Sequence, residues 1–198
     1  MTAPTAPPVQ RQRNRHHVHS DLPAKDPISV VAGPYGHPFH PILVTVPIGA
    51  WITSLVLDVG SRATTDAPGA LARGAWWAIA VGVIGALLAA VFGLMDLLDI
   101  PRRTRAFRVG LVHMGLNLMV VAAFVVSYLW RDDRGVGLET SVGQIVLSAA
   151  ALVFLGVSGF LGGMLAYRYG VRVAAESDQA EGYRSRRSRN GGALRDAR

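Results

Sequence analysis

The sequence predicts an all-α fold, an integral membrane bundle of four helices with disordered tails at both ends. Two observations support this prediction. The chain of 198 residues is 51% hydrophobic, and its mean hydropathy is positive. It also contains four apolar runs that each reach the roughly 20 residues needed to cross a bilayer. A soluble fold of this length does not require four such runs.

The predicted transmembrane domain covers residues 33–173. Its helices are predicted at about 41–60, 74–100, 106–130 and 141–168. The flanking segments, 1–32 and 174–198, are basic and polar. Such segments cannot bury enough apolar surface to offset the entropy of ordering, so we expect both tails to be disordered.

The first two predicted helices have recognisable limits. Pro41 suits the first turn of a helix, where its missing N–H is not needed, and Asp58 is the only charge that follows in this run. The second run is uncharged until Asp96 and Asp99, and Pro101 then stops it.

The last two predicted helices differ in their polar content. In the third, the apolar span Val109–Trp130 contains His113 and Asn117 one turn apart, as its only strongly polar residues. The fourth contains Gly159 and Gly163, spaced as in the GxxxG pattern that favours close packing of helices in membranes.

The basic residues predict the orientation of the bundle. Lysine and arginine concentrate in cytoplasmic loops of membrane proteins, and 16 of the 20 basic residues fall on one side of the predicted bundle. That side holds both tails and the loop near 102–108, so we expect both termini in the cytoplasm. Aromatic residues of an interfacial belt fall on the opposite side: Trp76, Trp77, Tyr128 and Trp130. The charge therefore indicates membrane orientation and anionic lipid, and not nucleic acid.

This topology brings six polar residues of three helices to the cytoplasmic half of the bundle. They are His37, His40, Asp96, Asp99, His113 and Asn117. An imidazole within a lipid-embedded helix needs a partner inside the bundle. We therefore expect His40, Asp96, His113 and Asn117 to converge in one pocket, with His113 facing inward. Asp58 alone lies toward the outer face.

Each polar group also has a purely structural interpretation. The two aspartates of the second helix can pair with arginines of the loop that follows. Those arginines are Arg102, Arg103, Arg105 and Arg108. The histidines at the entry of the first helix can bond loop carbonyls and hold the turn. Asp58 can cap a helix end or pair with Arg62.

Several motifs of the chain resemble a known family. They are Gly36-His-Pro-Phe-His-Pro-Ile-Leu-Val-Thr-Val-Pro-Ile-Gly49, Asp58, Gly93-Leu-Met-Asp-Leu-Leu-Asp-Ile-Pro101, His113-Met-Gly-Leu-Asn117 and Gly162-Gly-Met-Leu-Ala-Tyr-Arg-Tyr-Gly-Val-Arg-Val173. Together they resemble the DUF2231 family of predicted bacterial membrane proteins, over roughly residues 33–173. The resemblance implies a four-helix domain in the bacterial cytoplasmic (inner) membrane, with no settled activity. Some relatives are joined to Rieske-type iron–sulfur domains, which implies redox work.

The redox hypothesis is that the bundle holds a b-type haem near the cytoplasmic face. Non-covalent haem needs axial imidazoles that project into the bundle. His113 with His40 or His37 supplies two, and Asn117 lies beside them. Because the chain has no cysteine, it cannot hold a thiolate-ligated cluster itself, and its redox partner is expected to be a separate protein.

A second hypothesis is a divalent-metal or proton site used in transport or sensing. His40, His113, Asp96 and Asp99 are a ligand set suited to zinc or iron, and intramembrane acid and histidine chains also carry protons. Four helices are few for a carrier, so this function implies a homodimer. A third hypothesis is a structural or accessory membrane protein without a cofactor. The chain has no P-loop, GxSxG or HExxH motif, which argues against hydrolysis and nucleotide chemistry.

Overall fold

The computed structural model describes residues 38–131 and 139–174, together with 176, 179 and 180. Within these ranges the chain forms four long helices and no strand. The helices are α1 (Phe39–Ala63), α2 (Pro68–Leu98), α3 (Arg105–Trp130) and α4 (Val142–Tyr167). All four are long and apolar enough to cross a membrane, so the predicted all-α membrane fold is confirmed. Helix α1 is interrupted at Val44, because Pro47 has no N–H to donate to the carbonyl four residues earlier.

The helix starts follow from local capping chemistry. Helix α2 begins at Pro68, six residues before the predicted start, because proline is well suited to a first turn. The Thr104 hydroxyl accepts a hydrogen bond from the backbone N–H of Phe107 at the start of α3. Ser141 and Gln144 cap each other's backbone at the start of α4.

Some predictions concern parts of the chain that the structure does not describe. His37 lies outside the described residues, and so does nearly all of each predicted tail. Disorder of the segments 1–32 and 174–198 therefore stays a prediction.

The helices are arranged in chain order around a common axis. Helix α1 packs beside α2 and α4, and α3 also packs beside α2 and α4. In the described ranges no Cα atom of α1 comes within 8 Å of one in α3, so these two helices lie on a diagonal. Large apolar side chains cover the outer faces and contact lipid in a bilayer. Examples are Val56, Ile84, Leu129 and Phe160.

Side chains of α1 and α3 meet across the axis in one constant register. His40 faces His113, Trp51 stacks on Phe124, and Asp58 binds Arg131. In each pair the two residues are 73 positions apart in the chain. The two helices therefore run in the same direction, and their contacts divide the axis into layers. The two ends are called here the histidine end, at His40 and His113, and the ion-pair end, at Asp58 and Arg131.

The middle layer is an aromatic stack against a glycine. The rings of Trp51 and Phe124 are nearly parallel, with centroids 4.3 Å apart, and both side chains are buried. The Trp51 indole lies against Gly82 of α2, where any Cβ atom would overlap the ring. Ile79, Val120 and Ala151 complete the buried cluster. Gly82 therefore sets how closely α1 approaches α2.

The ion-pair end is closed by a fully buried carboxylate. Asp58 is 0% exposed and accepts two hydrogen bonds from the Arg131 guanidinium, of 2.7 and 2.6 Å. The Thr140 hydroxyl donates a third bond to Asp58, of 2.8 Å. The predicted partner, Arg62, instead pairs with Glu139 at the surface. That prediction was wrong because Asp58 faces the axis, where α3 delivers Arg131.

We expect Gly82→Ala to destabilise the bundle by about 1–3 kcal/mol, the usual cost of overpacking. The added methyl group would overlap the Trp51 ring, which cannot move away because Phe124 stacks on it. The measurement is unfolding in mixed micelles with increasing denaturing detergent. Gly115→Ala is the matched control, since nothing lies within 4 Å of a Cβ there. Equal stability of the two variants would contradict this packing.

We expect Asp58→Leu to cost roughly 3–5 kcal/mol, because it leaves the Arg131 cation buried without a counter-charge. The double variant Asp58→Leu/Arg131→Met should recover much of this loss in the same unfolding assay. Glu139→Gln serves as the control. Its ion pair with Arg62 is half-exposed and should be worth less than about 1 kcal/mol. If Asp58→Leu were as stable as Glu139→Gln, the buried ion pair would not contribute to the stability of the bundle.

Candidate functional site

His40 occupies the first turn of α1 and packs against the backbone of α2. Pro38 directly precedes the helix in an extended conformation. Nδ1 of His40 donates a hydrogen bond of 2.9 Å to the carbonyl oxygen of Ala89. The ring also lies beside Gly93, where a Cβ atom would come within 2.8 Å of it. The absence of a side chain at Gly93 thus makes room for this imidazole.

His113 is held in the same way between α3 and α4. Its Nδ1 donates to the carbonyl oxygen of Ser158 (2.8 Å), and the Ser158 hydroxyl lies 3.0 Å from the same nitrogen. Asn117, one turn along α3, donates to Nε2 of His113 (3.1 Å) and to its carbonyl oxygen (3.0 Å). The ring packs against Gly162, so a glycine again makes the space. His113 faces inward, as the sequence predicted.

The two imidazoles face each other across the bundle axis. Their ring centroids are 6.3 Å apart, and the ring planes are nearly perpendicular, at 87°. A carbonyl oxygen can only accept a hydrogen bond, so each Nδ1 must carry a proton. When the rings are neutral, each Nε2 is therefore an acceptor. The Nε2 atom of His40 has no hydrogen-bond partner among the described residues.

The two aspartates of α2 bind an arginine from beyond α4. Nε of Arg172 donates to Asp96 (2.8 Å), and its Nη2 donates to Asp99. The sequence analysis allowed Asp96 and Asp99 to pair with arginines of the loop after α2, and that pairing was wrong. Arg172 reaches this position because the chain turns sharply after α4, with positive φ angles at Gly170 (69°) and at Arg172 itself (57°). The two carboxylates share one guanidinium in the described ion pairs, so this cluster has an excess of negative charge.

The structure thus brings together only part of the predicted cluster. His40, His113 and Asn117 lie in one layer, while Asp96 and Asp99 belong to the neighbouring Arg172 cluster. In the described part of the chain, no group of three or more His, Asp or Glu side chains is placed to hold a metal ion. The predicted set of two histidines and two aspartates is therefore divided between two clusters.

Sequence reasoning missed three residues that the structure shows to be important. They are Ser158, Arg131 and Arg172. Ser158 directly precedes Gly159, the first glycine of the GxxxG pattern in α4. It was the hydroxyl of that helix expected near the level of His113, which could have identified it. Gly170 was a recognisable helix terminator, and a reversal there would have directed Arg172 toward the bundle. Arg131 gave no local signal, because it follows α3 like an ordinary surface charge.

The family model DUF2231, described as a predicted membrane protein, matches residues 36–175. This range includes all four helices and both histidines of the site. No curated protein and no solved structure matches the chain. Because the family model covers 140 of the 198 residues, the chain belongs to the DUF2231 family of predicted membrane proteins.

Proposed function

We propose that this multi-pass membrane protein binds an exchangeable proton between His40 and His113, as part of proton relay or proton sensing. The observation that carries the proposal is the facing pair of imidazoles, each with its Nδ1 bonded to a backbone carbonyl. We further propose that the protein lies in a bacterial inner membrane with both termini in the cytoplasm, which puts the histidine end nearest the cytoplasm.

The fixed tautomers define where a proton is taken up. With each Nδ1 already carrying hydrogen, an added proton goes to an Nε2 atom. His40 is the first acceptor, because Asn117 already donates to Nε2 of His113. Two imidazolium rings with centres 6.3 Å apart would repel each other by about 3 kcal/mol at an effective dielectric constant of 20. The pair therefore binds one proton and not two.

The neighbouring cluster favours a positive charge in this layer. Asp96 lies one turn along α2 from Gly93, which contacts the His40 ring. Asp96 and Asp99 together carry one more negative charge than the arginine that binds them both. A positive charge in the histidine layer would be attracted to this excess, since opposite charges attract strongly where water is scarce.

A b-type haem fits these residues less well. An iron ligand would use Nε2 of His113, which accepts a hydrogen bond from Asn117. Both rings are also packed directly against helix glycines, Gly93 and Gly162. A divalent metal would need more ligands than this layer supplies. A separate redox partner and a homodimer remain predictions from the sequence.

We expect the His40–His113 pair to bind one exchangeable proton that the two imidazoles share. The measurement is ¹⁵N NMR of histidine-labelled protein in lipid nanodiscs. In the wild type the signals of both rings should change together, because they share a proton. In His113→Ala the coupled change should be lost.

His19→Ala is the control, because His19 belongs to the N-terminal arm and should leave the coupled change intact. An absorption spectrum and a metal analysis of the same sample test the alternatives. A haem band or stoichiometric zinc or iron would replace the proton proposal. If the two ring signals do not change together and no cofactor is present, the polar cluster serves only to hold the helices together.

The proposed orientation can be tested by reporter fusions. Fusions at Asp66 and Asp133 should report a periplasmic location, and a fusion at Thr104 a cytoplasmic one. The physical reason is the concentration of basic residues on the side of Thr104. A cytoplasmic signal at Asp133 would reverse the orientation.

A further inference from the structure

Two buried serines of the bundle differ from the others. Helical serines usually donate their hydroxyl to a carbonyl of the preceding turn, as Ser54 does to Trp51 (2.8 Å) and Ser61 to Asp58 (2.7 Å). Ser127 and Ser148 are also 0% exposed. Their hydroxyl oxygens have no hydrogen-bond partner among the residues that the structure describes. Both groups are therefore available to a small ligand inside the bundle.

Ser127 and Ser148 lie close to each other along the bundle axis. The hydrogen bond between His113 and Ser158 marks one level of α3 and α4. Ser127 follows His113 by fourteen residues, and Ser148 precedes Ser158 by ten, so they lie roughly 21 and 15 Å from that level at ~1.5 Å per residue, or about 6 Å apart along the axis.

The directions of the side chains reduce this difference in level. Helices α3 and α4 are antiparallel, because His113 meets Ser158 at the opposite end of the bundle. Side chains lean toward the N-terminus of their own helix. The Ser127 hydroxyl therefore leans toward the histidine end, and that of Ser148 toward the ion-pair end. The two groups lean toward each other.

A third hydroxyl belongs to the same region. Ser54 of α1 precedes Ser127 by the 73 positions that separate the paired residues of α1 and α3, so it lies in the same layer. Its hydroxyl hydrogen is used by the Trp51 carbonyl, but its oxygen can still accept. Three fully buried hydroxyls from three helices thus lie at neighbouring levels of the bundle interior.

We propose that this serine layer, Ser54, Ser127 and Ser148, binds a buried water molecule. An unpaired hydroxyl away from water costs free energy, and one water can satisfy about three polar groups. The water donates to Ser54 and bridges Ser127 and Ser148. It lies between the Asp58–Arg131 pair and the Trp51–Phe124 stack.

This site extends the polar region of the ion-pair end one layer deeper into the bundle. The Trp51–Phe124 stack, with Pro47, Val120 and Ala151 beyond it, closes the region on the other side.

Paired alanine substitutions test the site. If Ser127 and Ser148 bind the same water, Ser127→Ala and Ser148→Ala should each raise the unfolding equilibrium constant about tenfold, or about 1.4 kcal/mol. The double variant should lose little more than either single variant, because the shared water is already lost. If the two hydroxyls were unpaired and no water were bound, each alanine variant would be at least as stable as the wild type. That result would overturn the proposal.

A direct measurement keeps the test independent of how well the variants fold. Wild-type protein with ¹³C-labelled serine is placed in lipid bilayers, and magnetisation transfer from water to the serine Cβ atoms is recorded by solid-state NMR. The Ser127 and Ser148 signals, assigned from the variants that fold, should receive transfer despite their complete burial. Absence of transfer to both residues would overturn the proposal, whatever the variants show.

Discussion

The diagonal pairing of α1 with α3 is the constraint on which the rest of the structure depends. These helices do not touch through their backbones, so only long side chains can join them across the axis. Trp51 and Phe124 fill the centre, and their stacking requires small residues on α2, above all Gly82. Once this layer is in place, the constant register brings His40 to His113 and Asp58 to Arg131. A shift of one helical turn would separate all three pairs together.

The two ends of the bundle accommodate polar groups in different ways. At the ion-pair end a carboxylate and a guanidinium are both buried and are joined by two hydrogen bonds. At the histidine end the imidazoles donate to backbone carbonyls instead. In the first arrangement the loss of either partner leaves a buried charge. The second leaves Nε2 of His40 without a partner among the described residues, and a free acceptor nitrogen is the property that proton binding requires.

Glycine has two distinct uses in this fold. Gly82, Gly93 and Gly162 lie against side chains that fill the space of a missing Cβ, so they shape the interior. Gly156 and Gly159 have nothing within 4 Å and lie on an outer face of α4. A GxxxG pattern therefore does not by itself tell which glycines pack within the bundle, since spacing reports the face of a helix and not its neighbour.

The sequence by itself determined the all-α membrane fold and the inward position of His113. These follow from local physics: apolar runs long enough for a bilayer, and the cost of an unpartnered imidazole in lipid. Which charges pair was decided only by the tertiary structure. Asp58 has Arg62 four residues away on its own helix, yet binds Arg131 from 73 positions along the chain. Asp96 and Asp99 bind Arg172, because a turn at Gly170 brings that residue back to the bundle. Such pairs depend on which helix faces touch, and sequence spacing does not contain that information.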